Sequence, residues 1–406
     1  MKELFDEVYR NLTTCIIPFW KKLIDTEHGG FYGRVDNNLV VYEKNEKGTI
    51  LCSRILWFFS EAYRVLKDES LVLYAEQAYK YLINHCFDAE NGGVIWSTTY
   101  DGKPLDTTKH SYNHAFAIYA LAAYYESFRD SNALQKALDL YDIVETRFMD
   151  GSGYTEAYDI EFNPIPNDKL SENGVMAEKT MNTALHILEA YTVLLKVIKM
   201  PDTDIDNKEY YRNRIEESVK KLLDIFADNI YQGKSRLEVF FDKDYKSLIN
   251  LQSYGHDIEA SWLIDRALEV LDDVDYSRKI GQITDLLARS VKWQALVKDG
   301  SVVNECENNR VDTTRVWWVQ AESIVGFMNY YMKKGDTKYL ETAKGVWDYC
   351  CESFIDKREG SEWFAALNAM GEPYIEKDIV DPWKCPYHNG RMCLEVINRI
   401  KKIESR

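Results

Sequence analysis

"HGGFYGRVDNN", residues 28–38, carries a glycine pair, then alternating apolar and polar residues, then a polar turn. That order describes a short hairpin or extended loop. It does not stand alone. "NGGVIWSTTYDGKP" begins at Asn91, "GSGYTEAYDIEFNP" at Gly151, "DGSVVNECENN" at Asp299 and "EGSEWFAALNAMGEP" at Glu359. "SRLEVFFDKDYKSL", from Ser235, is a weaker sixth member without the glycine pair. The starts are spaced by roughly 60 residues, with one longer step that holds the polar insertion "KMPDTDIDNKEY".

Two helix-like stretches lie between successive markers. "SRILWFFSEAYRVL" and "LVLYAEQAYKYLINHC" both place apolar residues at i, i+3, i+4 and i+7. So do "HAFAIYALAAYYESF", "ALQKALDLYDIVETRF", "KTMNTALHILEAYTVLLKVI", "HDIEASWLIDRALEVL", "QAESIVGFMNYYMK" and "YLETAKGVWDYCCESF". A unit of two helices and a hairpin, repeated about six times, predicts an all-α (α/α)6 barrel with short β-hairpin loops at one rim. It would form a single catalytic domain over residues 1–406. The alternative is an open α-solenoid, a binding scaffold. Six near-equal units without polar caps favour closure.

The chain has 406 residues, 46% of them hydrophobic and 29% charged. That suits a soluble globular protein with a sizeable core. No apolar run approaches the length of a membrane span, and "MKELFDEVYRNLTTCIIPFW" lacks a signal peptide's apolar stretch, so we expect a cytoplasmic protein without a membrane partner. A net charge of −16 would repel phosphate backbones, so nucleic acid is not an expected partner. The 8 cysteines form no C-x-x-C pair and no zinc-ligand spacing; they read as reduced, mostly buried thiols. No dinucleotide fingerprint, P-loop, nucleophile elbow or H-E-x-x-H occurs, and no cofactor or metal is expected. The 10 Trp, 28 Tyr and 16 Phe suit a core, or stacking on sugar faces.

Histidines are scarce, 7 in all. His28, His85 and His110 fall at element ends, where surface or capping roles are expected; His114 is undecided. His186 lies four residues after Asn182, so the two share one helical face. His256, in "SYGHDIEASWL", precedes Glu259 by one turn. A carboxylate there would orient and polarise the imidazole. His388 lies in "DPWKCPYHNGR", where two prolines and a glycine forbid a continuous helix. The helix is expected to start just after His388, in a rigid loop where Trp383 offers a stacking face and Arg391 an anion-binding fork. Arg54 stands on an otherwise apolar helix face and needs a partner, a ligand oxygen or an outlet to solvent. Trp318 and Glu322 stand one turn apart, and Glu322 needs a partner if the Trp pair is core.

Taken together, "GGFYG", "SRILW", "KTMNTALHILEAY", "SYGHDIEASWL", "RVWWVQAE" and "WKCPYHNGRMCLEV" resemble the N-acylglucosamine 2-epimerase superfamily. Within it "SYGHDIEA" and "CPYHNGRM" are most similar to the cellobiose 2-epimerase branch. The resemblance spans essentially the whole chain. It implies an (α/α)6 barrel and a reversible inversion at C2 of the reducing-end glucose of β-1,4-linked disaccharides, cellobiose and lactose among them, without redox cofactor or metal. It implies His256 and His388 as the acid/base pair, His186 and Arg54 as donors to an enediolate, and Glu259 as the partner of His256. Tyr112, Asn182, Glu322, Trp383 and one of Trp317 or Trp318 would bind substrate. The expected partner is a small disaccharide, and the expected state a monomer or weak homodimer. The readings to beat are an N-acylglucosamine 2-epimerase or mannose isomerase acting on monosaccharides, an (α/α)6-barrel glycoside hydrolase using paired carboxylates, and a non-enzymatic helical scaffold.

Overall fold

A computed structural model describes residues 1–170 and 173–405. Six helices, Thr49–Leu66, Ser111–Phe128, Met181–Lys199, Tyr254–Leu271, Trp317–Lys334 and Tyr387–Glu404, pack side by side in chain order. The last also packs on the first, so the ring closes and the open-solenoid alternative falls away. These inner helices are buried on nearly every face. In Ser111–Phe128 every residue from Ser111 to Tyr125 is buried. A helix apolar all round belongs inside.

Outer helical segments at 2–22, 72–86, 131–148, 208–230, 274–294 and 337–354 back this ring. They are amphipathic. Val274–Gln294 buries one stripe, from Ile280 through Thr284, Leu287 and Ala288 to Val291. The segments at 208–230 and 274–294 are absent from the periodic stretches recognised in the sequence. Their narrow stripes are broken by many charges.

Each marker stretch follows an outer segment and leads into an inner helix. The hairpins are stitched to one another. Lys47–Gly48 pairs with Ser97–Thr98, Lys109–His110 with Ala157–Tyr158, Lys179–Thr180 with Phe240–Phe241, and Arg315–Val316 with Ala366–Leu367. A bridge between Val35 and Val380 joins the last repeat to the first.

Under the hairpins lies a device with no counterpart in the sequence reading. The residue that opens an inner helix is preceded by a base that reaches back to an acid of its own hairpin. Lys47 pairs with Asp25 at 2.6 Å, Lys109 with Asp88 at 2.7 Å, Lys179 with Asp150 at 2.8 Å and Lys384 with Glu362 at 3.0 Å. Lys47 and Lys109 also donate to the carbonyls of Gly29 and Gly92, whose left-handed φ of 82° and 80° turns those oxygens inward. The lysine side chains of all four are essentially without solvent exposure.

One expectation is corrected here. "DPWKCPYHNGR" is not loop to its end. The helix begins at Tyr387, not just after His388, so His388 sits in its first turn; Gly390 and Arg391 are helical, as expected. Pro386 precedes the helix, where its missing N–H costs nothing. Gly390 is there for space: a Cβ would fall 2.5 Å from the Phe58 ring.

Candidate active site

Because the six inner helices start at the same rim, their opening turns face one another. Those turns hold every residue singled out above except Trp383, which lies just before the last helix. Tyr112, Asn182, Trp318 and His388 are second residues of their helices, and Arg54, His186, Glu259 and Glu322 sixth residues, one turn deeper. The helices' N-terminal partial charges all point at this end.

Ring contacts and hydrogen bonds tie the set together. The Trp318 ring packs against two imidazoles, 4.7 Å from His256 and 5.6 Å from His388. Trp317 meets His388 edge-on at 6.2 Å. Trp318 is therefore the tryptophan that touches both histidines. Arg54 donates to the Tyr112 hydroxyl at 2.9 Å and to the Trp383 carbonyl at 3.2 Å. Its guanidinium lies over Phe116 and Tyr387, and its Nε has no partner. Arg54 does not snorkel; it is buried. Tyr112 meets His186 at 5.1 Å and Trp383 at 6.1 Å. The buried Asn182 Oδ1 is also without a partner.

The three histidines share one design. Each engages Nδ1 with the protein: His388 with Glu322 at 2.8 Å, His186 with Glu189 at 2.8 Å, and His256 with the Ser253 hydroxyl at 2.7 Å. Among the described residues no group bonds any Nε2. Burial pushes all three below the ordinary histidine range, His256 to about 3, and Arg54 and Arg391 push His388 further down. Neutral imidazoles are poised here at working pH.

Beneath them Arg391 is engaged through both terminal nitrogens, while its Nε has no partner among the described residues. It donates to Glu189 and Glu259 at 2.5 Å and to Glu322 at 2.6 Å. Glu189 also accepts from the Tyr387 hydroxyl, whose single O–H lies between its two oxygens at 2.8 and 2.6 Å. Burial alone would raise Glu189, but Arg391, His186 and Tyr387 outweigh it and hold this carboxylate down to about 2. Burial and the neighbouring Glu322 push Glu259 up to about 8. Burial likewise raises Glu322, whose oxygens take donors from Trp262, His388 and Arg391. One atom each from Glu259, Glu322 and His388 lie within 4.8 Å of one another, as metal ligands can, but Arg391 already bridges the two carboxylates there with a cation.

Three expectations change. Glu259 bonds Arg391, not His256; Ser253 holds His256 instead, because the i+3 carboxylate points down the barrel axis toward the guanidinium. Arg391 is no fork for a substrate anion, since three carboxylates occupy it. For His186 the change is a partner the sequence reading did not name: Glu189 Oε2 lies 2.8 Å from its Nδ1, which leaves Nε2 without a partner among the described residues. Glu189 and Tyr387 were missed in the sequence; the signal was the i+3 spacing of His186 and Glu189. Of the remaining histidines, His110 does cap a helix, accepting from Tyr112 N–H, but is buried, not on the surface. His114 is buried too, bonded to the His110 carbonyl.

A cavity of about 710 Å³ opens at the opposite mouth, against Trp57, Tyr119, Arg266, Glu395 and Arg399. Its charges are spent on each other: Arg266 and Arg399 both hold Glu395, and Arg64 holds Glu61. The imidazole Nε2 atoms of His186, His256 and His388, without partners among the described residues, and the unpartnered Arg54 Nε and Asn182 Oδ1 are at the other end, and we place the candidate site there.

The model of the N-acylglucosamine 2-epimerase family matches residues 30–390. The chain is 47% identical to a cellobiose 2-epimerase of Eubacterium cellulosolvens, over 96% of this chain and 97% of that one. A sugar epimerase from a ruminal bacterium superposes with a TM-score of 0.93 at 45% identity, covering 98% of this chain and 99% of that one. The N-acylglucosamine 2-epimerase of Rattus norvegicus is 21% identical, over 95% of this chain and 89% of its own.

Proposed function

The chain belongs to the N-acylglucosamine 2-epimerase family of (α/α)6-barrel carbohydrate epimerases, and on that premise we propose that it inverts C2 of the reducing-end glucose of β-1,4-linked disaccharides such as cellobiose. The observation that carries the reading is the pair of neutral imidazoles, His256 and His388, both packed against the Trp318 ring. The proton on C2 becomes acidic only when C1 is an aldehyde, so the ring must open first. Opening delivers a proton to the ring oxygen and removes one from the C1 hydroxyl. Loss of H2 then gives a cis-enediolate, and a proton returned to the other face of C2 gives the epimer.

His256 and His388 supply acid/base groups for both faces. Arg54, with its free Nε, and the converging helix N-termini favour the enediolate charge. Trp383 stacks on a sugar ring, and Tyr112 and Asn182 bind hydroxyls. The identity gap, 47% against 21%, supports the disaccharide branch over the monosaccharide one. Lactose is proposed as a second substrate on the same chemistry, since only its distal sugar differs from cellobiose. Against the hydrolase reading stands the buried carboxylate pair Glu259 and Glu322, which is tied to Arg391 instead of flanking open space.

The test is proton NMR of the protein with cellobiose in D2O. A new reducing-end mannose anomeric signal with deuterium at C2 is expected. Release of free glucose would assign hydrolysis instead. An unchanged spectrum would move the substrate to N-acetylglucosamine or mannose.

A further inference from the structure

We propose that Glu189 is a positioning residue that fixes His186 as a hydrogen-bond acceptor for a hydroxyl of the reducing-end sugar. The reasoning rests on the epimerase reading for the identity of the ligand, but the tautomer itself rests on geometry alone.

Glu189 stands one turn after His186 on the Met181–Lys199 helix, and its Oε2 is 2.8 Å from His186 Nδ1. Both side chains are buried, at 3% and 4% exposure, so water does not compete for that bond. Two further donors converge on the same carboxylate: the single Tyr387 O–H, which lies 2.8 and 2.6 Å from its two oxygens, and Arg391 Nη1. A carboxylate so surrounded stays ionised, and an ionised carboxylate only accepts. The proton therefore belongs on His186 Nδ1. Arg54 and Arg391 oppose a second proton on the ring, as does burial. Nε2 is left with a lone pair, no partner among the described residues, and Tyr112 and Phe116 packed against its ring.

A sugar hydroxyl is the complementary group. It can donate to Nε2 while its oxygen accepts from Arg54. Arg391 extends the arrangement, because the same guanidinium that anchors Glu189 also anchors Glu322, the partner of His388. The two imidazoles are thus held by carboxylates on one cation.

The first readout needs no substrate. A long-range proton–nitrogen spectrum of the 15N-labelled wild type, with His186 assigned by its loss in His186→Asn, reports which ring nitrogen carries the proton. We expect Nδ1. A proton on Nε2 would overturn the proposal whatever the substrate proves to be.

The second readout is Glu189→Gln. Its amide can still accept from Arg391 and Tyr387, but its NH2 faces His186 Nδ1, so the ring should invert to the Nε2–H tautomer. With cellobiose we expect kcat to fall at least tenfold while the His388 signals hold, at a temperature where circular dichroism shows the variant folded. An inverted tautomer with kcat within threefold of wild type would overturn the positioning role. If Glu189→Gln does not fold, Tyr387→Phe, which leaves the Glu189–His186 bond in place, should retain the wild-type tautomer; inversion there would overturn it. Failure of wild-type turnover with a correct tautomer would fault the substrate assignment, and the kcat comparison would then use the sugar that is turned over.

Discussion

At the scale of single residues, the three site histidines are kept neutral by burial and differ in what holds them. His256 is pushed down to about 3 and His388 well below its ordinary value. The group that must be unprotonated to act as base is therefore unprotonated far into the acid range. The acidic limb of kcat/KM, which reports the free enzyme, should have its midpoint below about pH 5 and not near the free-histidine value of about 6.5. A profile on cellobiose, run with circular dichroism to confirm folding at each pH, checks this. A midpoint near 6.5 would mean that water reaches these rings. The residue identities themselves were legible in the sequence, because scarce histidines and buried charges stand out against apolar helix faces. Their partners were not. Local spacing offered Glu259 to His256, but the i+3 carboxylate turned to Arg391, from another helix, and Ser253 took its place.

At the scale of elements, the buried base–acid clasps fix four of the six hairpins to the starts of their inner helices. Breaking one by removing a single partner leaves a charge without solvent or counter-ion, at a cost of about 3–5 kcal/mol. Lys109→Met should therefore lower the free energy of unfolding by about that amount, read by denaturant titration, because Asp88 is left buried below the hairpin. Replacing both, as Lys109→Met with Asp88→Leu, should recover a large part of the loss; no recovery would show that the Gly92 carbonyl bond matters more than the charge pair. The glycine-marked stretches were readable as hairpins because turn chemistry is local. The clasp was not, since its two ends are about twenty residues apart and pair only when the hairpin folds back.

At the scale of the whole molecule, the ring has two mouths of different character: one with unpartnered groups, the other with charges paired among themselves. Its titratable groups set the pH response. Asp88 and Asp150 are held down to about 2: burial raises them, but Lys109 and Lys179 outweigh it. Glu189 and Glu395 are held down to about 2 in the same way by arginines. Such groups stabilise the fold above their unfolded values, about pH 4, and lose that contribution as pH falls toward 2. Five histidines, His110, His114, His186, His256 and His388, are lowered by burial, so their contribution starts to fall below about 6.5. Five carboxylates, Glu156, Asp257, Glu259, Asp265 and Glu322, are raised by burial and act with the opposite sign between about 4 and 7. Stability should thus be nearly flat from pH 7 to about 4 and collapse below it, where every remaining group acts in one direction. Melting temperatures across that range check this; a steep loss already between 7 and 5 would show the histidines outweighing the carboxylates. The amino-acid sequence alone determined the repeat, the helical class, the family resemblance and the residues that meet at the rim, because periodicity, turn residues and motif spacing are properties of neighbours along the chain. Only the tertiary structure decided that the ring closes, that His388 is helical, that Arg391 serves three carboxylates and that Glu189 sets His186. Closure and the Arg391 cluster depend on groups from different repeats meeting where water is excluded, and even for Glu189, one turn from His186, it is Tyr387 and Arg391 of another helix that hold the carboxylate; there the partner is chosen by three-dimensional proximity and desolvation, not by position in the chain.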